Sequence, residues 1–225
     1  MLPLTEKTLE LNVISELTYL FRTAGFRPFF IGYSQLSEAV HGRDVRYSLP
    51  SSGMFAFFQF KRGSERKRKK CFSFHINNNR PHYNQHSRFC SHAPIQRAAK
   101  YVFPLVGDDI TVLRNRSHIL SQTAFISATD FNPLIPHDKP HLVRVYLNRK
   151  WVCNTQKKEG NWEPLLREPI PMQHLDEVAV DVVKELLERW NLPTIGELMD
   201  ARWIFDEFLF NQRSSFAMIL IPPER

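Results

Sequence analysis

The stretch Met54-Phe-Ala-Phe-Phe-Gln-Phe-Lys-Arg62 decides the fold, because its nearly continuous aromatic run predicts a buried β-strand. Side chains two apart on a strand point to the same face, so Gln59 and Lys61 are expected side by side. Asp44 lies fifteen residues before Gln59, in a Gly-x-Asp sequence, and can approach from a neighbouring strand. An acid, a second oxygen ligand and a lysine are the groups that a metal-dependent phosphodiesterase needs.

The rest of the chain alternates helical and strand patterns. Apolar residues recur at helical spacing over residues 5–24 and again over Asp176–Trp190, and both segments are predicted to be helices. A basic loop separates the Met54–Lys61 strand from Cys71–Ile76, which is predicted to be its hairpin partner. Further strands are predicted at Phe29–Tyr33, Val45–Leu49, Tyr101–Val106, Ile110–Leu113, Thr123–Ala128, Leu142–Leu147, Lys150–Thr155 and Phe216–Ile221, and further helical segments at Tyr83–Ala93 and Ile195–Phe210.

Length and composition indicate one globular domain. The 225 residues are 43% hydrophobic, which is enough for a core, and we expect a unit with its core at about residues 5–130 and an extension at about 160–225. No run of about 18 apolar residues is present, so we predict no membrane span, and the first residues predict no secretion signal. Three cysteines without CxxC spacing favour a reducing cytoplasm. A net charge of +7 favours polyanionic partners, nucleic acid first.

Four short motifs resemble the PD-(D/E)xK nuclease superfamily, and specifically its Mrr-type members that carry Gln-x-Lys in place of Glu-x-Lys. The resemblance covers about residues 5 to 90. The motifs are a first helix with Glu10-x-x-Val13 that closes at Gly25-Phe26, the Gly42-Arg43-Asp44 sequence, the strand end Gln59-Phe60-Lys61-Arg62, and Tyr83-Asn84-Gln85-His86 at the start of a candidate helix.

The resemblance implies an α/β (α+β) fold with a mixed central sheet flanked by helices, and a metal-dependent endonuclease that cleaves DNA in bacterial defence. Mg²⁺ or Mn²⁺ would be held by Asp44, by the Gln59 amide oxygen and by the Phe60 carbonyl. Glu10 or Glu38 would supply the charge that an acid at position 59 would have brought. Lys61 would orient the attacking water and stabilise the charge that grows on the phosphate. Nucleases of this type act as homodimers or as effector subunits of larger complexes.

The basic loop after the strand is the predicted nucleic-acid contact, because cations there would bind phosphates independently of sequence. A solvated hairpin tip and a nuclear localisation signal are alternative interpretations of such a run. The predicted contact residues are Arg62, Arg66, Lys67, Arg68, Lys69 and Lys70, with Gln85 and His86 from the candidate helix.

Two other functions stay open. Gln59 in place of an acid is compatible with a non-catalytic basic protein that binds nucleic acid or a partner protein. A zinc-stabilised interaction module is the second alternative, since histidines and cysteines of the kind that ligate zinc cluster in one region. That cluster is Cys71, His75, His82, His86, Cys90 and His92.

Overall fold

The fold combines ten strands with four helices over the part of the chain that the computed structural model describes. The described residues are 5–32, 52–76, 86, 93–107, 119–131, 141–154, 157–166, 172–199 and 215–223. The strands are β1 (Arg27–Gly32), β2 (Met54–Phe60), β3 (Ser64–Arg66), β4 (Cys71–Ile76), β5 (Ala99–Pro104), β6 (Thr123–Ser127), β7 (His141–Tyr146), β8 (Lys150–Cys153), β9 (Lys158–Asn161) and β10 (Ser215–Ile221). The helices are α1 (Glu6–Thr23), α2 (Ala93–Ala98), α3 (Met172–Trp190) and α4 (Ile195–Met199), with short 3₁₀ turns at Lys67–Lys69, Ile119–Gln122 and Ala128–Phe131.

The strands form two five-stranded sheets. The mixed sheet has the order β1-β10-β2-β5-β6, in which β2 and β5 are parallel and the other pairs antiparallel. The antiparallel sheet has the order β3-β4-β7-β8-β9. The predicted α+β class with a mixed sheet is therefore confirmed.

Helix α1 forms where its apolar stripe predicts it. Its buried residues recur every three or four positions and pack on the mixed sheet. Thr5 caps the start by accepting a hydrogen bond of 3.1 Å from the N–H of Thr8. Gly25 ends the helix with φ +86°, and the N–H of Phe26 returns to the carbonyl of Phe21 at 2.9 Å.

Strand β2 is buried on both faces and separates two cores. Phe55 and Phe57 face the antiparallel sheet, whereas Phe58 and Phe60 face α1 and α3. The mixed sheet is thus the middle of three layers. Side chains alternate along a strand, so Gln59, two residues after Phe57, lies on the face that is directed toward the antiparallel sheet.

The predicted hairpin between β2 and β4 is wrong. Strand β4 pairs with β3 and β7 in the antiparallel sheet, and β2 pairs with β10 and β5. The chain leaves the mixed sheet at Gly63, where a Cβ would lie 2.5 Å from the ring of Phe74. A side chain at position 63 would collide with that ring. The glycine therefore lets the chain pass from one sheet to the other at this point.

Strand β10, from the last described segment, lies between β1 and β2 and is therefore an inner strand of the mixed sheet. Helix α3 packs on α1, and the hydroxyl of Tyr19 donates a hydrogen bond of 3.1 Å to Asp176 across that contact. The β7–β8 hairpin around Asn148-Arg149 and the final strand are confirmed. Among the described helices, none is both long enough and apolar enough to traverse a lipid bilayer.

Candidate active site

Gln59 lies near the end of β2, in a buried position. It is 1% exposed, and its register partners are Tyr101 on β5 and Ser215 on β10. Its Nε2 donates a hydrogen bond of 3.2 Å to the carbonyl oxygen of Phe60. The two oxygen atoms predicted to hold a metal, one on each of these residues, therefore belong to neighbouring groups.

Lys61 follows directly after β2. Its N–H donates a hydrogen bond of 3.0 Å to the carbonyl of Val102, which continues the pairing with β5 by one residue and fixes the backbone. Burial lowers the pKa of the Lys61 ammonium to about 8, and the negative charge of Glu6 opposes that shift. A lysine with this pKa is mostly cationic at pH 7 and loses its proton at a lower pH than an exposed lysine does.

Glu6 is the acid next to Lys61, and the sequence reasoning missed it. Its Oε2 accepts a hydrogen bond of 3.3 Å from the N–H of Arg62. Glu6 stands one helical turn before Glu10, the acid that the sequence predicted, so the two lie on the same face of α1. The Thr5 cap could have revealed it, because an acid in the first turn faces the positive end of the helix.

Glu10 is a buried carboxylate, 4% exposed. Burial raises its pKa; the nearby Lys7, whose Nζ is 3.4 Å from Oε2, lowers it, and Glu6 raises it further. Of the two acids in this helical turn, Glu6 contacts the residue that follows Lys61, and the buried Glu10 accepts a proton more readily than a surface glutamate.

His86 belongs to the interior of the described structure. It is 1% exposed, its Nδ1 lies 3.2 Å from the hydroxyl of Tyr101, and its ring stacks on that tyrosine at 6.0 Å. This position is not the surface contact with nucleic acid that the sequence predicted. Because Tyr101 is the register partner of Gln59, the three polar side chains form a buried row beside Lys61.

The basic loop is exposed and contains β3 and the turn that leads to β4, and we call residues 62–70 the basic hairpin. Its first strand, β3, is the edge of the antiparallel sheet and is exposed throughout. Lys70 adopts φ 47°, its N–H returns to the carbonyl of Lys67, and its own carbonyl accepts from Leu147 at 3.2 Å. The predicted cations Arg62, Arg66, Lys67, Arg68, Lys69 and Lys70 are all exposed.

Several predicted residues lie outside the described part of the chain. They are Asp44, Glu38 and Gln85 of the nuclease set, and His82, Cys90 and His92 of the zinc set. Of the remaining zinc candidates, Cys71 is buried on β4 and His75 is exposed on the same strand. Within the described ranges, no three His, Cys, Asp or Glu side chains are grouped so that they could hold a metal ion.

The donor set around Gln59 fits a hard divalent cation in its chemistry. The Gln59 amide oxygen and the Phe60 carbonyl are the neutral oxygen donors that Mg²⁺ accepts beside carboxylates and water. In the described orientation the amide presents its N–H₂ to the carbonyl. A half-turn of the amide would bring its oxygen to the same place, so these residues can serve a cation after a side-chain rotation.

Comparisons with protein-family models, with curated proteins and with solved structures found no match to this chain.

Proposed function

We propose that the chain is a metal-dependent endonuclease that hydrolyses phosphodiester bonds in DNA. The observation that supports it best is the position of Lys61: a partly desolvated lysine, tuned by Glu6, that follows two metal-type oxygen donors and directly precedes the basic hairpin. Perturbed titratable groups beside a substrate-binding surface are characteristic of catalytic sites.

The basic hairpin would hold the substrate backbone. Its cations are exposed, and β3 begins three residues after Lys61. Three strand residues span about 10 Å, so a nucleic acid bound along the hairpin would bring a phosphate toward Lys61. Cations of this kind give affinity that does not depend on base sequence.

The metal would be Mg²⁺ or Mn²⁺, held by the Gln59 amide oxygen, the Phe60 carbonyl and the carboxylate of Asp44. Bound there, the ion supplies Lewis-acid chemistry that lowers the pKa of a water molecule and screens the phosphate. Asp44 enters this set from the sequence resemblance. Glu6, which lies close to Lys61 and contacts Arg62, would supply negative charge near a glutamine that lacks it.

Lys61 would act on the phosphate itself. Its ammonium stabilises negative charge that develops on the non-bridging oxygens during displacement, and the partial burial strengthens that interaction. Glu6 keeps the ammonium protonated by raising its pKa. In this proposal Lys61 contacts the substrate, and Glu6 keeps the lysine protonated.

We further propose that the protein works in the cytoplasm, as a homodimer or as an effector subunit, in defence against foreign DNA. The buried thiols of Cys71 and Cys153 suit a reducing compartment. The net charge of +7 suits a polyanionic partner.

The decisive experiment is cleavage of supercoiled plasmid, single-stranded DNA and RNA with Mg²⁺ or Mn²⁺, by the wild type and by Lys61→Ala. Lys184→Ala, an exposed lysine on α3, is the matched control. We expect metal-dependent nicking that Lys61→Ala abolishes and Lys184→Ala retains. Equal nicking by all three proteins would show that the cleavage does not occur at this site. Preferential cleavage of RNA would show that RNA rather than DNA is the substrate.

The second candidate is a non-catalytic binding protein with the same fold. The hydrogen bond from the Gln59 amide to Phe60 favours it, because a donor stands where a metal requires an acceptor. Gln59→Glu separates the two functions. If the protein is an enzyme, the variant should keep or gain nuclease activity. If it is a binding protein, both the variant and the wild type should bind DNA without cleaving it at any metal concentration.

A further inference from the structure

A cavity of about 470 Å³ opens beside β6, the edge strand of the mixed sheet. Its walls come from α2, from the start of β5, from β6 and the turn that follows it, from the end of β9, and from the last residues of α3. The volume lies within the range of about 300–1,000 Å³ that is typical of small-molecule sites.

Lys100 forms part of the polar wall and is almost completely enclosed, at 5% exposure. Its Nζ donates to the carbonyl of Arg97 at 2.8 Å and to the hydroxyl of Ser127 at 3.4 Å. The hydroxyl of Thr129 also donates to Ser127, at 3.0 Å. The Ser127 oxygen accepts twice, so its own proton is available to donate to a ligand.

Two arginines stand at the cavity, each paired with a glutamate. Arg97 pairs with Glu197 on α4, and Nη1 of Arg189 lies 2.9 Å from Oε2 of Glu163. A guanidinium has five N–H donors, so an arginine in one ion pair can still bind a ligand through its other edge. Both arginines are partly exposed, as ligand-accessible groups must be.

Each cation of the cavity has a carboxylate beside it. Arg97 pairs with Glu197, which is not part of the lining, Arg189 pairs with Glu163, and Lys100 lies near Asp130, so the charges balance while Asp130 is ionised. Burial raises the pKa of Asp130, although Lys100 opposes the shift, so this carboxylate is readily neutralised. Protonation of Asp130, which an arriving anion would favour, leaves one positive charge in excess at the cavity.

The other wall is aromatic. Phe125 and Trp190 pack with their ring centres 5.4 Å apart. Trp162 closes the wall, and its indole N–H is already bonded to the carbonyl of Tyr146 at 3.0 Å. The aromatic side therefore offers apolar contact, while the hydrogen-bond donors are concentrated at the lysine, the arginines and the hydroxyls.

The cavity is separate from the candidate active site. Lys100 and Tyr101 are consecutive on β5, so their side chains point to opposite faces of the mixed sheet. Tyr101 shares its face with Gln59, whereas Lys100 looks toward the layer of α1 and α3. A ligand at Lys100 would thus occupy a different side of the sheet.

We propose that this cavity binds a small phosphorylated ligand of mononucleotide size, with the phosphate against Lys100, Arg97 and Arg189 and the apolar part against Phe125 and Trp190. Phosphate suits this wall because it carries several acceptor oxygens and no donor of its own when ionised, and guanidinium groups bind it in a two-point geometry. The site would sense a nucleotide independently of the nuclease activity.

The test measures binding of AMP, GMP, CMP, UMP, adenosine and inorganic phosphate to the full chain by calorimetry and thermal shift, in EDTA. We expect at least one monophosphate to bind and to raise the melting temperature, and adenosine to fail. Lys100→Met and Arg189→Gln should each weaken that binding by roughly tenfold or more, since each removes a charge-assisted contact. Lys61→Ala should bind as the wild type does, which separates this site from the nuclease site.

The following results would contradict the proposal. Absence of binding by every monophosphate at millimolar concentration, or unchanged affinity in Arg189→Gln, overturns the proposal. Inorganic phosphate that binds as tightly as every nucleotide overturns the assignment of a mononucleotide-sized ligand. Arg189 is partly exposed, so its variant keeps the test valid even where Lys100→Met fails to fold. Loss of binding in Lys61→Ala would show that the ligand binds at the candidate active site and not in the cavity.

Discussion

The carboxylate of Glu6 accepts a hydrogen bond of 3.3 Å from the backbone N–H of Arg62, and this contact joins the first turn of α1 to the residue that follows Lys61. The same carboxylate raises the pKa of Lys61 against the effect of burial. One side chain therefore contacts the backbone next to the candidate catalytic lysine and raises the pKa of that lysine, from a position 55 residues earlier in the sequence.

Replacement of Glu6 by Gln should shift the pH dependence of cleavage. Burial alone then acts on Lys61, so its pKa falls below the value of about 8 that it has beside Glu6. If cleavage requires the ammonium, its alkaline limb moves to lower pH. The measurement is the rate of plasmid nicking between about pH 6 and 10. Glu188→Gln, on the exposed side of α3, is the control, and an alkaline limb that stays in place would separate Glu6 from Lys61.

The sequence predicted those parts of the fold that local periodicity governs. Helix α1 and strand β2 formed as expected, because the 3.6-residue stripe and the apolar run each decide a local conformation. Strand pairing depends on distant partners instead. The position of β10 between β1 and β2 and the parallel pairing of β2 with β5 could not be predicted from local sequence patterns, and the predicted β2–β4 hairpin was wrong for that reason.

The candidate site was predictable only in part. Gln59 and Lys61 follow from strand alternation alone, whereas Glu6 depends on the approach of α1 to the end of β2. The cavity has no sequence signature, since Lys100 and Arg189, which both line it, are about 90 residues apart in the sequence.

Gly63→Ala should destabilise the protein at the crossing between the two sheets. The added Cβ would lie 2.5 Å from Cε1 of Phe74, a buried ring that has no room to move. Overpacking of this kind costs about 1–3 kcal/mol, measured as the free energy of unfolding in urea. Gly107→Ala is the matched control, because its Cβ meets the end of the exposed Glu65 side chain and should cost less.

A second substitution tests whether the ring of Phe74 causes the loss of stability in Gly63→Ala. Phe74→Leu in the Gly63→Ala background should recover part of the lost stability, since the smaller side chain relieves the clash. Losses that simply add in the double variant would show that the ring is not the cause.

Tyr101→Phe should cost about 1–3 kcal/mol of stability, because the buried Nδ1 of His86 loses its hydrogen bond to the hydroxyl. The shape of the ring and its contacts with Phe103 and Phe131 are retained, so the loss reports the polar contact. Urea unfolding measures it, with Tyr146→Phe on the partly exposed side of β7 as the control. Equal effects of the two substitutions would count against a special role for the Gln59–Tyr101–His86 row.

Neutral substitution of Arg66, Lys67 and Lys69 together should weaken DNA binding and reduce its dependence on salt. Each lost phosphate contact lowers the slope of log K against log salt by about 0.9, so the triple variant should lose roughly two to three units. The measurement is binding of a labelled duplex across a salt series. Lys157, Lys158 and Lys184, replaced together, form a control of equal charge, and an equal change in slope would show that net charge rather than the hairpin determines binding.

Lys100 should make stability rise with pH above neutrality. Burial lowers its pKa from 10.5 to about 8, although Asp130 opposes the shift. Between these values the unfolded chain binds more protons than the folded one, so the free energy of unfolding increases from about pH 8 to 10.5. Below that window both states are protonated and the folded state carries the full cost, up to about 3 kcal/mol.

Lys100→Met removes the titrating group, and its stability should therefore vary less than that of the wild type across this window. Urea unfolding at a series of pH values measures the difference, and Lys150→Met, exposed on β8, corrects for the other groups that titrate there. At low pH the methionine variant should be the more stable protein, because it carries no buried charge. A wild-type curve that parallels the Lys100→Met curve throughout would mean that Lys100 titrates at its ordinary pKa and that its enclosure does not desolvate the ammonium.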